Sequence, residues 1–246
     1  MDAALRNAAL LVTFFIVSLA IPAGTILPVS LNSTLSSEKC KPGQTISARV
    51  MQDVPLPSGE KIRAGAKLLG HVTAASNGSP ASLSFRFDTL ETRGTKLSVT
   101  TNLRAIASFL AVQNAGLPRP GADRGVSPSA WTTVQIGGDV VYRGGGYVEA
   151  QRERVGEPVN GGVLGRLRSN PERGCSGPLD ATEARQALWL FSFDACGTYD
   201  LPNLQIRHSG PANPFGEIIL DSAKGQVNVR AGAGLLLAVN GSVPGN

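Results

Sequence analysis

Residues 45–54 read TISARVMQDV, and their alternation decides the fold class. Ile46, Ala48, Val50 and Val54 fall on one side, and Ser47, Arg49 and Asp53 on the other. A period of two places successive side chains on opposite faces, so the stretch is a half-buried strand. Pro55, Pro57 and Gly59 then break it.

The same pattern extends in both directions. Residues 26–31 (ILPVSL) are a short apolar run behind the turn-forming Pro22-Ala23-Gly24. Residues 66–75 (AKLLGHVTAA) give the next strand, and Asn77-Gly78 is a hairpin signal. Leu83, Phe85 and Phe87 alternate with Ser84, Arg86 and Asp88; Arg93-Gly94 turns the chain; Leu97, Val99, Thr101 and Leu103 alternate again. Residues 218–220, 227–230 and 235–239 resume the pattern near the end. Short strands at this spacing predict a mainly β protein, a β-barrel or barrel-like sandwich. Composition agrees: 29 Gly and 16 Pro against only 5% aromatic residues suit a turn-rich β protein rather than a helical bundle.

The barrel-like domain is expected over 21–107 and 218–246. Residues 108–217 read as a large irregular insertion or second lobe. Residues 115–128 are Gly/Pro-rich and read as a loop, and 131–141 as one or two strands broken at Gly137-Gly138. Residues 181–190 read as a short helix capped by Asp180 with Glu183 as its capping-box partner, and 188–193 read equally well as a strand.

The first 20 residues read as a signal peptide. Arg6 is basic, residues 8–20 (AALLVTFFIVSLA) carry no charge, and Ser18-Leu19-Ala20 offers small residues at a cleavage site. A membrane span needs about 20 apolar residues, so membrane attachment is expected only if this segment stays uncleaved. The expected location is periplasmic or secreted.

An oxidising compartment gives the three cysteines meaning. Cys175 and Cys196 are the preferred disulfide, which leaves Cys40 over; the other two pairings stay open. No CxxC or HExxH occurs, and neither a metal nor a cofactor is expected. The net charge of +5 is mild. Its densest cluster, Arg152, Arg154, Arg166, Arg168 and Arg173, has no interleaved aromatics, so nucleic acid is not an expected partner. That cluster reads as a solvated loop surface, with contact to anionic envelope polymers as an extra.

No catalytic motif stands out. His71 and His208 are far apart, and Gly174-Cys175-Ser176-Gly177 lacks the spacing of a nucleophile elbow. Asp88, Asp139, Asp194 and Asp200 are loose candidates for the paired carboxyls of glycoside cleavage. Trp131, with Tyr142 and Tyr147, is the candidate ligand-binding set: aromatic faces beside the polar residues 132–135 suit a carbohydrate or peptide groove.

Residues 21–31 (IPAGTILPVSL), 62–72 (IRAGAKLLGHV) and 82–101 (SLSFRFDTLETRGTKLSVTT) together resemble the periplasmic β-barrel domain of the scaffold subunit of type IV secretion, or conjugation, channels. Residues 226–237 (QVNVRAGAGLLL) resemble its closing strand, and Arg63 stands where that family has proline. The resemblance covers turn and hydrophobic positions, so it implies the fold first. It points to a non-enzymatic protein of the bacterial cell envelope acting in binding or assembly, with envelope proteins or polymers as partners. The alternative is an extracytoplasmic hydrolase of envelope carbohydrate or peptide, with its site in 108–225.

Overall fold

A computed structural model describes residues 21–116, 131–143, 146–169, 171, 175 and 184–244. The presumed signal peptide, most of the 115–128 loop, and Asp180 with Glu183 lie outside the described residues. Among the described residues no helix is long and apolar enough to cross a membrane.

The chain is mainly β. The first half gives β1 (Ile26–Leu31), β2 (Leu35–Ser36), β3 (Thr45–Val50), β4 (Val54–Pro55), β5 (Lys61–Ile62), β6 (Lys67–Ser76), β7 (Ala81–Thr92) and β8 (Thr95–Ala107). A short helix, α1 (Phe109–Asn114), follows; Ser108 caps it by accepting the Ala111 amide at 3.0 Å. The lobe contains β9 (Trp131–Gln135), β10 (Gly138–Arg143), β11 (Tyr147–Ala150), β12 (Glu153–Val159), β13 (Gly162–Gly165) and β14 (Gln186–Ala187). The chain then returns through β15 (Gly197–Tyr199), β16 (Leu204–His208), β17 (Ile218–Ser222), β18 (Asn228–Val229) and β19 (Gly234–Pro244).

Six strands close a barrel in the order β8-β19-β1-β3-β6-β7, with β7 pairing back onto β8. The first strand therefore meets the last, Ile26 opposite Ala238. Each wall strand sends at least one side chain into the core: Leu27, Ile46, Leu68, Phe85, Leu97 and Leu237 are all buried there. β7 and β8 pair only near their shared turn, from Thr89 to Thr92 against Thr95 to Ser98. Farther along they part. β17 and β16 extend the wall from β7, while β15 runs parallel to β8. β15 and β16, which fall within the 108–217 stretch, thus belong to the same sheet as the barrel strands.

Two glycines explain how the wall bends. Gly65 has φ +90°, a region that disfavours side chains, in the turn before β6. A Cβ on Gly70 would lie 1.9 Å from the Arg86 carbonyl oxygen, where a bulge draws β6 against β7.

The lobe is a six-stranded antiparallel sheet, β14-β13-β12-β11-β10-β9, around a small core of Val140, Val148, Ala150 and Val163. Gly137-Gly138 does divide residues 131–141 into two strands. Among the described residues, 184–190 contain a two-residue strand and a turn rather than a helix. The apolar run behind it is a plug. Leu188, Trp189 and Phe191 pack on the outer side of the barrel against Ile26, Ala105, Leu236 and Ala238. Here the barrel strands are buried on both faces, which is why residues 235–239 (LLLAV) are continuously apolar.

Three buried polar side chains tie the lobe to the barrel. Gln52 donates to the Val163 carbonyl at 3.0 Å and accepts the Trp189 amide at 2.6 Å. Gln186 accepts the Ile26 amide at 3.0 Å, where β3 no longer covers β1. Arg104 donates to the carbonyls of Ala195 at 3.0 Å and Arg168 at 2.8 Å. Buried backbone groups need such partners, so the junction is satisfied as well as apolar. Cys175 and Cys196 form a disulfide, with 6.0 Å between their Cα atoms.

Candidate functional site

Arg154, Arg166 and Arg168 of the sequence's arginine cluster converge on one groove in the lobe, and Arg173 lies outside the described residues. Gln151 and Arg152 (φ 51° and 70°) make the tight turn from β11 to β12 and set Arg154 opposite Glu149. β12 then pairs with β13, Gly156 facing Gly165. A Cβ on Gly156 would lie 2.5 Å from the Leu164 carbonyl oxygen, and one on Gly165 would lie 2.6 Å from that of Val155. Only glycine permits this approach. Beyond the pair the Arg166 backbone amide still reaches the Val155 carbonyl at 3.4 Å, and then the chains part, the Arg168 backbone amide donating to the Phe193 carbonyl at 2.9 Å.

The separation opens a groove of about 350 Å³. Arg154, Arg166, Arg168 and Arg185 line it, with Glu153 the one carboxylate in its wall among the described residues. Val155, Leu167 and Phe193 supply an apolar surface. At the rim, Glu157 serves two guanidinium groups, Arg185 at 2.7 Å and Arg154 at 3.9 Å. Arg168 lies over the Phe193 ring, 4.8 Å from its centre, and reaches Asp194 at 3.7 Å. Arg154 lies over the Tyr147 ring at 5.4 Å. Arg154 lies on β12, while Arg152, Arg166, Arg168 and Arg185 lie in turns and loops, so the solvated loop surface expected from the sequence is present and part of it is gathered around a groove.

The aromatic set does not form one groove. Tyr142 pairs with Val148 and Tyr147 with Arg143 on adjacent rungs, so the two tyrosines project from opposite faces of the sheet. Tyr142 packs on the lobe core, and its hydroxyl accepts from Gln135 at 3.0 Å. Burial raises its pKa above the ordinary phenol value, against the opposing hydrogen bonds of Gln135 and Thr133. Tyr147 lies on the face with Arg154. Trp131 is opposite Tyr142 in the β9–β10 ladder, and its side chain lies outside the described residues. Tyr142 is thus partly buried against the lobe core, on the sheet face opposite Tyr147.

The other candidates are dispersed. His71 Nδ1 lies 2.9 Å from Asp88 Oδ2 on the outer barrel surface, and His208 bonds the Pro214 carbonyl at 3.2 Å. Asp194 neighbours Arg168, and Asp200 pairs with Ser108. Of residues 174–177 only Cys175 is described. Cys40 is a buried free thiol whose sulfur accepts the Ser36 amide at 3.3 Å. Among the described residues no cluster of His, Cys, Asp or Glu has the makings of a metal site. What sequence reading missed is the convergence of the arginines with Arg185 and Phe193; the spacing of Arg152, Arg154, Arg166 and Arg168 was its only signal.

No protein-family model, no curated protein and no solved structure matches the chain.

Proposed function

We propose that the chain is a non-enzymatic, extracytoplasmic β-barrel protein of the bacterial cell envelope that works by binding or assembly. The observation that carries this reading is the arginine-lined groove, built on a lobe held to the barrel by Gln52, Gln186 and Arg104. A preformed charged surface on a fixed support suits recognition. The disulfide fits an oxidising compartment. The resemblance of 21–107 and 226–237 to the barrel domain of secretion-channel scaffolds is consistent with the envelope.

The test combines cell fractionation with a photo-crosslinking amino acid placed at Arg154 in the full-length protein. The expected result is protein in the envelope fraction with a discrete crosslinked adduct. A cytoplasmic protein that forms no adduct sinks the proposal.

One observation favours a second reading, an extracytoplasmic hydrolase, and it lies on the barrel, outside the residues 108–225 where the sequence placed that site. The His71–Asp88 pair has the contact by which a carboxylate orients a catalytic imidazole. Cleavage of envelope peptide or glycan strands that disappears in His71→Ala, with the fold retained, decides for it.

A further inference from the structure

We infer that the groove between β12 and the chain leaving β13 is the docking site for an acidic, partly apolar peptide segment of an assembly partner. This rests on the binding reading above and names the partner's chemistry.

Charge selects the sign. Among the described residues, four guanidinium groups line the groove against Glu153 in its wall, with Glu157 shared by Arg154 and Arg185 at the rim and Asp194 3.7 Å from Arg168, which leaves a cationic surplus. Guanidinium forks match carboxylates in bidentate geometry. The side chains of Arg154 and Arg185 are 59% and 54% exposed, so their pairs with Glu157 are solvated and weak, and incoming carboxylates exchange for it.

The apolar surface selects a peptide. Val155, Leu167 and Phe193 lie among the arginines, which suits a segment carrying aliphatic side chains between its carboxylates. Sugars and nucleic-acid bases use open aromatic faces. Arg168 already lies over Phe193, and Arg154 over Tyr147. The site is also preformed, since Arg104 holds the Arg168 carbonyl and the Gly156–Gly165 pair fixes where the strands part. Binding to such a site costs little ordering.

The test measures fluorescence anisotropy of a short labelled peptide alternating glutamate and leucine, added to the full chain. Its glutamine-for-glutamate counterpart and an oligothymidylate are the comparison probes. The glutamate peptide is expected to bind, to weaken as salt rises, and to lose roughly tenfold in affinity in the double variant Arg154→Ala/Arg185→Ala. Lys67→Ala/Lys96→Ala, on the barrel strands β6 and β8 rather than on the lobe, is expected to leave it unchanged. Both double variants replace exposed side chains, and an unchanged urea midpoint verifies their fold. Equal binding of the glutamine peptide, undiminished binding to the arginine variant, or tighter binding of the oligothymidylate overturns the inference. The crosslinking experiment separates the two levels: with the crosslinker moved to Arg152, an adduct that persists in Arg154→Ala/Arg185→Ala defeats the groove assignment while the binding reading stands.

Discussion

Gln52 and Trp189 meet across the junction of barrel and lobe, the side-chain oxygen of one accepting the backbone amide of the other at 2.6 Å. Gln52 is fully buried, and its nitrogen donates to Val163 at 3.0 Å. One side chain therefore satisfies the Trp189 amide and adds a second donor to the Val163 carbonyl, which also accepts the Leu188 amide at 2.9 Å. Gln52→Ala leaves the Trp189 amide without this partner, at about 1–3 kcal/mol, while the Val163 carbonyl keeps Leu188. A matching fall in urea-unfolding free energy is expected. Gln52→Glu keeps the acceptor, loses the donor and buries a charge, so it too is expected to destabilise. A neutral result for both variants contradicts the clamp.

Gly165→Ala tests the strand crossing at the groove. The new Cβ would meet the Val155 carbonyl oxygen at 2.6 Å and Leu188 Cδ1 at 3.0 Å. Backbone contacts of this kind do not yield as flexible side chains do, so the strands must shift, and about 1–3 kcal/mol of destabilisation is expected. Faster hydrogen exchange in β12 and β13, with β1 and β19 unaffected, is the specific signature.

Reduction of Cys175–Cys196 is expected to lower stability by about 3 kcal/mol in the chain-entropy model. Cys175→Ser/Cys196→Ser reproduces the loss and is insensitive to reductant. Cys40→Ser in the intact protein retains the full reductant response. A reductant response that is lost in Cys40→Ser shows that Cys40 belongs to the bridge instead.

Asp53 gives a pH dependence of known sign. The hydrogen bond from Lys61 holds its carboxyl below the ordinary range, helped by the Ala64 amide and by the charges of Lys61 and Arg63, while burial opposes them. The folded pKa lies below the unfolded one, which is about 4. Its contribution is therefore complete above that value and is lost as pH falls through the folded pKa. Asp53→Asn is expected to have a lower urea midpoint than the parent at neutral pH, with the gap closing in acid. A gap that is constant with pH rules out the carboxylate as its source.

The barrel was legible because its strands carry one clear period. Alternation at Ile46, Ala48 and Val50, and at Leu83, Phe85 and Phe87, is the direct imprint of one buried face. The lobe hid its strands. Residues 153–159 (ERVGEPV) contain glycine and proline and lie largely exposed, so no apolar period marks β12. The run at 188–193 misled for the opposite reason: its apolar side chains fill the junction from a turn in which Trp189 has φ 52°. Helix α1 is only 6 residues long, too short to show a period, and Ser108 was its one signal. The arginines were visible as a cluster, but the groove depends on the Gly156–Gly165 register, which no local pattern encodes.

The pairing of β1 with β19 also sets a clock. Ile26 waits for Ala238, about 210 residues downstream, which at about 5–20 residues per second takes a ribosome about 10–40 s to reach. Until then the nascent chain holds hairpins such as β6–β7 but no complete wall, and the slow, non-local closure comes last. The protein stays threadable for as long as it is being made.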